Sequence, residues 1–106
     1  MSAKKDELIS SLCSAIKAGD VSEVQSMLKE GIDPNLQTKD WYKTRPIILA
    51  AASGHRDIIG ALLEQPNLNP NLPDGLFGNT ALIDASHTGN TDVVKQLVAD
   101  QRYTAS

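Results

Sequence analysis

Asp84 and His87 stand three residues apart in the run Asp84-Ala85-Ser86-His87, a spacing that puts a carboxylate and an imidazole on one side of a helix. Metal binding is the chemistry such a pair offers, but a structural zinc site takes about four ligands. The lone cysteine, Cys13, belongs to a distant stretch of the chain, so no metal is expected. A second cluster, Lys39-Asp40-Trp41-Tyr42-Lys43 with Arg45 just beyond it, sets cations around the only tryptophan and superficially suits a nucleic-acid strand. Three cations on a chain of net charge −3 read instead as a solvated loop or a docking patch for an acidic protein surface, and no nucleic acid is expected. His55, next to Gly54, reads as structural. No glycine-rich phosphate loop, nucleophile with its base, or pair of pocket carboxylates occurs, so neither a catalytic residue nor a cofactor is expected.

What must position these residues follows from the whole chain. At 106 residues and 41% apolar content there is material for one core and not two. Aromatic residues make up 4%, which leaves Leu, Ile, Val and Ala to build that core and favours closely packed helices over long strands. Charges of both signs are mixed along the chain, against broad attraction to nucleic acid or an anionic membrane. One cysteine in an apolar helical run implies a reduced, buried thiol. The opening Met-Ser-Ala-Lys-Lys-Asp-Glu is no signal peptide, and no run reaches the roughly 18 apolar residues that span a bilayer. The cytoplasm is the expected compartment, with the nucleus as the alternative, and no membrane partner is expected.

The chain repeats itself. Gly19, Gly54 and Gly89 fall 35 residues apart, and in the same register Leu12 aligns with Ile47 and Leu82, Ala15 with Ala50 and Ala85, Val24 with Ile59 and Val94, and Met27 with Leu62 and Leu97. Each unit reads as two short helices about the shared glycine, which can take the left-handed conformation that closes a helix. First helices are expected over about Glu7–Ala18, Pro46–Ser53 and Ala81–Thr88, second helices over about Val21–Lys29, Arg56–Glu64 and Thr91–Ala99. Asp20 with Glu23, and Asn90, supply N-caps, whereas His55 is a poorer one. Ile32-Asp33-Pro34-Asn35 and Leu68-Asn69-Pro70-Asn71 leave the helices for extended segments, and Asp74-Gly75 signals a tight hairpin-type turn.

Residues 46–55, Pro-Ile-Ile-Leu-Ala-Ala-Ala-Ser-Gly-His, and the third unit's Gly78-Asn79-Thr80-Ala81-Leu82 with Gly89-Asn90 resemble the ankyrin repeat from about Leu8 to Val98. The resemblance implies an all-α helix-turn-helix solenoid with short β-hairpin loops between repeats. It implies a single domain over residues 1–106: repeat 1 at about 5–38 as a polar N-terminal cap, repeat 2 at about 39–73 and repeat 3 at about 74–106. Arg45 stands where the family has Thr, and Ile48 and Ile83 where it has His, so the usual hydrogen bonding between neighbours is missing. Asn35 to Arg45 spans ten positions and Asn71 to Thr80 nine, both longer than the family's loop.

For function, the resemblance implies a protein-interaction module, an adaptor or competitive inhibitor, binding through hairpin tips and the concave first-helix face. A thin two-layer stack is expected to enclose no ligand pocket, against an enzyme. On the binding surface the register places Ser14, Lys17 and Ala18 in the first unit, Leu49, Ala52 and Ser53 in the second, and Asp84, His87 and Thr88 in the third. Lys39, Asp40, Trp41, Tyr42 and Lys43 at the first tip, and Leu76 and Phe77 at the second, add large amphipathic or apolar groups of the kind that anchor interfaces. Trp41 either anchors a partner or folds back over the first two helices, and Phe77 either projects or tucks under its own hairpin. The third unit keeps the interior pattern at Val93, Val94, Leu97 and Val98, so either a longer array continues past it, scaffolding or targeting another domain, or an otherwise monomeric chain self-associates weakly there.

Overall fold

The computed structural model describes residues 2–39 and 43–100, with side chains from residue 7 onward. Six helices run through them: α1 (Ser2–Ala18), α2 (Val21–Lys29), α3 (Pro46–Ser53), α4 (Arg56–Leu63), α5 (Ala81–His87) and α6 (Thr91–Val98). α1 begins five residues before the expected Glu7, because Ser2 to Asp6 contains no glycine or proline to stop it. The helix pairs close alike. Gly19, Gly54 and Gly89 have φ of +73°, +72° and +72°, and the amide after each, from Asp20, His55 and Asn90, donates to Ala15, Ala50 and Ala85 at 3.0, 3.1 and 3.0 Å. The aligned alanines thus accept the bond that ends each first helix. Asp20 and Asn90 then accept from the amides of Glu23 and Val93, while His55 makes no side-chain cap.

α1, α3 and α5 pack side by side as one layer, and α2, α4 and α6 as the other. Between them apolar side chains disappear from solvent: of the aligned positions Leu12, Ile47, Val24, Ile59 and Leu62 are fully buried, as are Ile16 and Val93, while Leu82 and Val94 of the third unit are partly buried. Each such side chain contributes roughly 1.5–3 kcal/mol by leaving water. Where two helix pairs meet, small residues permit close approach. A Cβ added at Gly54 would lie 2.7 Å from Nδ2 of Asn90, and one at Gly19 would lie 3.2 Å from Cε1 of His55. The residue that starts a second helix therefore covers the glycine of the preceding pair, which is the place His55 occupies.

Arg45 changes the account of the missing Thr-His bonding. Its Nε donates to the Pro73 carbonyl at 2.7 Å and its guanidinium donates again to the Asn35 carbonyl at 2.8 Å, so one side chain ties two successive connections together. Asn35 does the same work a little lower, donating to the Asn67 carbonyl at 2.8 Å and accepting from the Asn69 amide at 2.7 Å.

The two loops that project from the stack are closed by backbone bonds from Thr38 N–H to Thr44 O at 2.8 Å and from Asp74 N–H to Asn79 O at 2.8 Å. Among the described residues no β-strand forms, so the hairpin stems are that short. The expected Asp74-Gly75 turn takes another form. Asp74 Oδ1 accepts from the amides of Leu76, Phe77 and Gly78 at 2.9, 2.7 and 3.0 Å, and the left-handed residue is Gly78 at φ +72°. A carboxylate that satisfies three amides at once rounds the loop, whereas a two-residue turn would leave them to solvent. Gly75 is needed for proximity instead: its amide donates to the Lys43 carbonyl at 2.9 Å, and a Cβ there would lie 2.7 Å from Cβ of Lys43.

The ends of the stack differ. At the first, Ser10, Ser11 and Glu23 are exposed. At the other, Ile83 is 41% exposed and Val98 46%, although Ile48, one period before Ile83, is 2% exposed and Leu28, two periods before Val98, is 5%.

Candidate functional site

A groove of about 730 Å³ lies between the α1-α3-α5 layer and the two loops. α1 lines it with one side of its last three turns, Ile9, Ser10, Cys13, Ser14 and Lys17; α3 supplies Ile48, Leu49 and Ala52, and α5 supplies Asp84. Thr38, Lys39 and Thr44 of the first loop and Asp74, Leu76, Phe77 and Asn79 of the second complete the lining. Its volume falls within the roughly 300–1,000 Å³ of ligand pockets, more than a thin stack was expected to offer, because the loops add a wall to the helical layer.

Local structure fixes the side chains that matter. Asp74, by holding three amides of its own loop, sets the second tip so that Phe77 is 77% exposed and Leu76 is exposed beside it. Phe77 therefore projects. On α5, burial pushes the Asp84 carboxyl above the usual carboxylate range and the nearby Asp74 charge adds to that, while a hydrogen bond from Asn79 and the charge of His87 oppose it.

Of the residues expected at a binding surface, Ser14, Lys17, Lys39, Leu49, Ala52, Leu76, Phe77 and Asp84 come together in the groove. Ser53 and Thr88 line an adjoining shallow depression of about 500 Å³, which shares Ala52 with it. Lys43 is exposed and has φ +46°, its carbonyl taken by Gly75 and by Gln37 Nε2 at 2.9 Å; its side chain lines neither hollow. Ala18 and His87 are exposed outside both linings. Asp40, Trp41 and Tyr42 lie outside the described residues.

Register alone missed Ser10 and Cys13, although Ser10 sits one helical turn before Ser14, which is the signal that would have found it. Thr38, Thr44 and Asn79 enter the lining through loop closure, which no spacing rule announces. Among the described residues no three His, Cys, Asp or Glu side chains converge on a point where a metal could sit, and no helix is long and apolar enough to cross a membrane. What the arrangement can do is hold a segment with side chains, through an apolar floor and charged margins.

Residues 12–105 match the family described as Ankyrin repeats (3 copies). The chain is similar to the mitochondrial liver isoform of glutaminase from Rattus norvegicus, 31% identical over 88% of this chain and 15% of that protein. It is similar to the ankyrin repeat and SAM domain-containing protein 6 of Mus musculus, 32% identical over 79% of this chain and 9% of the relative. It also matches the potassium channel SKOR of Arabidopsis thaliana, 34% identical over 81% of this chain and 10% of the channel. The chain thus spans no more than 15% of the length of these relatives.

Proposed function

The chain belongs to the ankyrin-repeat family, and from that membership we propose that it is a protein-interaction module, an adaptor or competitive inhibitor, which seats a partner protein in the groove and does no chemistry of its own. The observation that carries this reading is Phe77, among the described residues the most exposed of the large apolar side chains, held out beside a groove floored by Ile48, Leu49 and Ala52. A rigid apolar ring at the rim of a concave surface is the kind of group that anchors an interface. Lys39, Leu49, Ala52, Leu76, Phe77 and Asp84 form the contact surface in this reading, with Lys43, Ser53, His87 and Thr88 at its margins. The buried thiol of Cys13 fits a reducing compartment such as the cytoplasm.

A photo-crosslinking side chain tests it. Placed at Leu49 in the groove, it should trap a discrete partner protein from source lysate, while the same group at exposed Gln25 on α2 should not. Equal trapping at both positions would overturn the groove as the binding surface.

One observation favours a second reading, in which this domain leads a longer array that scaffolds or targets another domain. Ile83 and Val98 are exposed where Ile48, one period before Ile83, is covered and where Leu63 and Leu28, one and two periods before Val98, are partly and fully covered, and a further pair stacked on α5 and α6 would cover them too. The coding sequence beyond Ser106 should then carry another unit with glycine in the same register; a stop codon there would contradict it.

A further inference from the structure

The charged groups that line the groove, among the described residues, are segregated. Lys17 stands on α1 and Lys39 in the first loop, Asp74 stands in the second loop and Asp84 on α5, and the lining of α3 between the two helices is Ile48, Leu49 and Ala52. The segregation is set by the repeat itself: Lys39 and Asp74 are equivalent positions one period apart in successive loops, and Ser14, Leu49 and Asp84 are equivalent positions on successive first helices. The stack thus changes from cationic through apolar to anionic along its length, at positions that all face one hollow.

We propose that the groove takes one extended segment of a partner protein whose acidic side chains lie over α1, whose single bulky apolar side chain lies over α3, and whose basic side chain lies over α5. The inference rests on the groove being the docking surface. An acidic group over α5 would meet the carboxylates of Asp74 and Asp84, and a basic one over α1 the ammonium of Lys17, so the opposite order is repelled at both ends. The apolar side chain is flanked by Leu76 and Phe77.

The width of the helical layer sets how many residues of an extended segment the groove takes. Neighbouring packed helices lie about 8–10 Å apart, so α1 to α5 is about 16–20 Å, which about five or six extended residues span at ~3.3 Å each. The partner's acidic and basic groups are accordingly about five or six residues apart.

Selection from a random linear peptide library displayed on phage tests this, using the whole domain and the variants Lys17→Glu, Asp84→Lys and Asp84→Asn, each first shown to keep the wild-type helical circular dichroism. Wild type should enrich peptides with an acidic end, a large apolar residue and a basic end at that spacing. Lys17→Glu should weaken such a peptide roughly five- to tenfold and shift selection toward basic residues at both ends. Asp84→Lys should shift it toward acidic residues at both ends, and Asp84→Asn should lose the basic preference without gaining an acidic one. Enriched peptides that compete for the groove but show no charge order, or the same consensus from every variant, would overturn the inference while leaving groove docking in place. No enrichment from the wild-type domain would overturn both.

Discussion

Gly54 and Gly89 hold the same left-handed backbone conformation, both at φ +72°, but only Gly54 has a neighbour close upon it. A Cβ there would meet Nδ2 of Asn90 at 2.7 Å, whereas at Gly89 nothing lies within 4 Å. Alanine costs about 1–2 kcal/mol at either site through backbone strain. At Gly54 it also displaces the side chain that caps α6, for about 1 kcal/mol more. Equilibrium urea unfolding should therefore show Gly54→Ala as clearly the more damaging change; equal losses would mean that Asn90 does not rest on Gly54. Asp84 makes a prediction of the opposite sign. Its folded-state carboxyl titrates above the ordinary value of 3.8, chiefly through burial and then through Asp74, so ionising it opposes folding. That stability is present below 3.8 and is lost as pH rises through the higher folded-state value. Asp84→Asn should flatten the fall of melting temperature over this window and melt no lower than wild type at neutral pH. A lower neutral melting temperature would show that the charge is used within the fold.

At the scale of elements, the connections carry as much specification as the helices. Arg45 reaches the carbonyls of Asn35 and Pro73, and charge-assisted bonds of this kind contribute about 1.5–3 kcal/mol when buried and less at a part-exposed site. Arg45→Ala should cost about 1–2 kcal/mol in urea unfolding. Arg45→Lys should recover little of it, because one ammonium lacks the planar fork that serves two acceptors. A lysine variant as stable as wild type would remove the clamp from the account. The six helices were legible because glycine, alanine and apolar positions recur every 35 residues, and each recurrence has one physical cause: a closing left-handed turn, its acceptor, or a buried face. The connections were not. Arg45 stood in the sequence as a departure from the family, since only the folded backbone brings Pro73 and Asn35 within its reach, and Asp74-Gly75 signalled a tight turn while Asp74 took three amides of its own loop. The same division runs through the groove: Leu49, Ala52 and Asp84 followed from helix register, whereas Thr38, Thr44 and Asn79 depended on how the loops close.

The whole molecule is a one-dimensional stack, in which each helix pair is completed by its neighbours. Its α5-α6 end leaves Ile83 and Val98 in solvent while Ile48 and Leu28 are covered. Sedimentation of the isolated domain at rising concentration should reveal weak association, and Val98→Lys should abolish it; association unaffected by that change would place the contact elsewhere. Across the stack, perpendicular to the burial that holds it together, the first helices and loops leave the groove, and the proposed partner binding stands on that groove. The decisive measurement is affinity capture from source lysate by the wild-type domain and by a Leu49→Arg variant with unchanged circular dichroism. Leu49 lies in the groove lining and is only partly buried, so the fold should survive the change while the groove is blocked. Loss of the partner band with the variant is the predicted result, and a band of undiminished intensity would contradict the account.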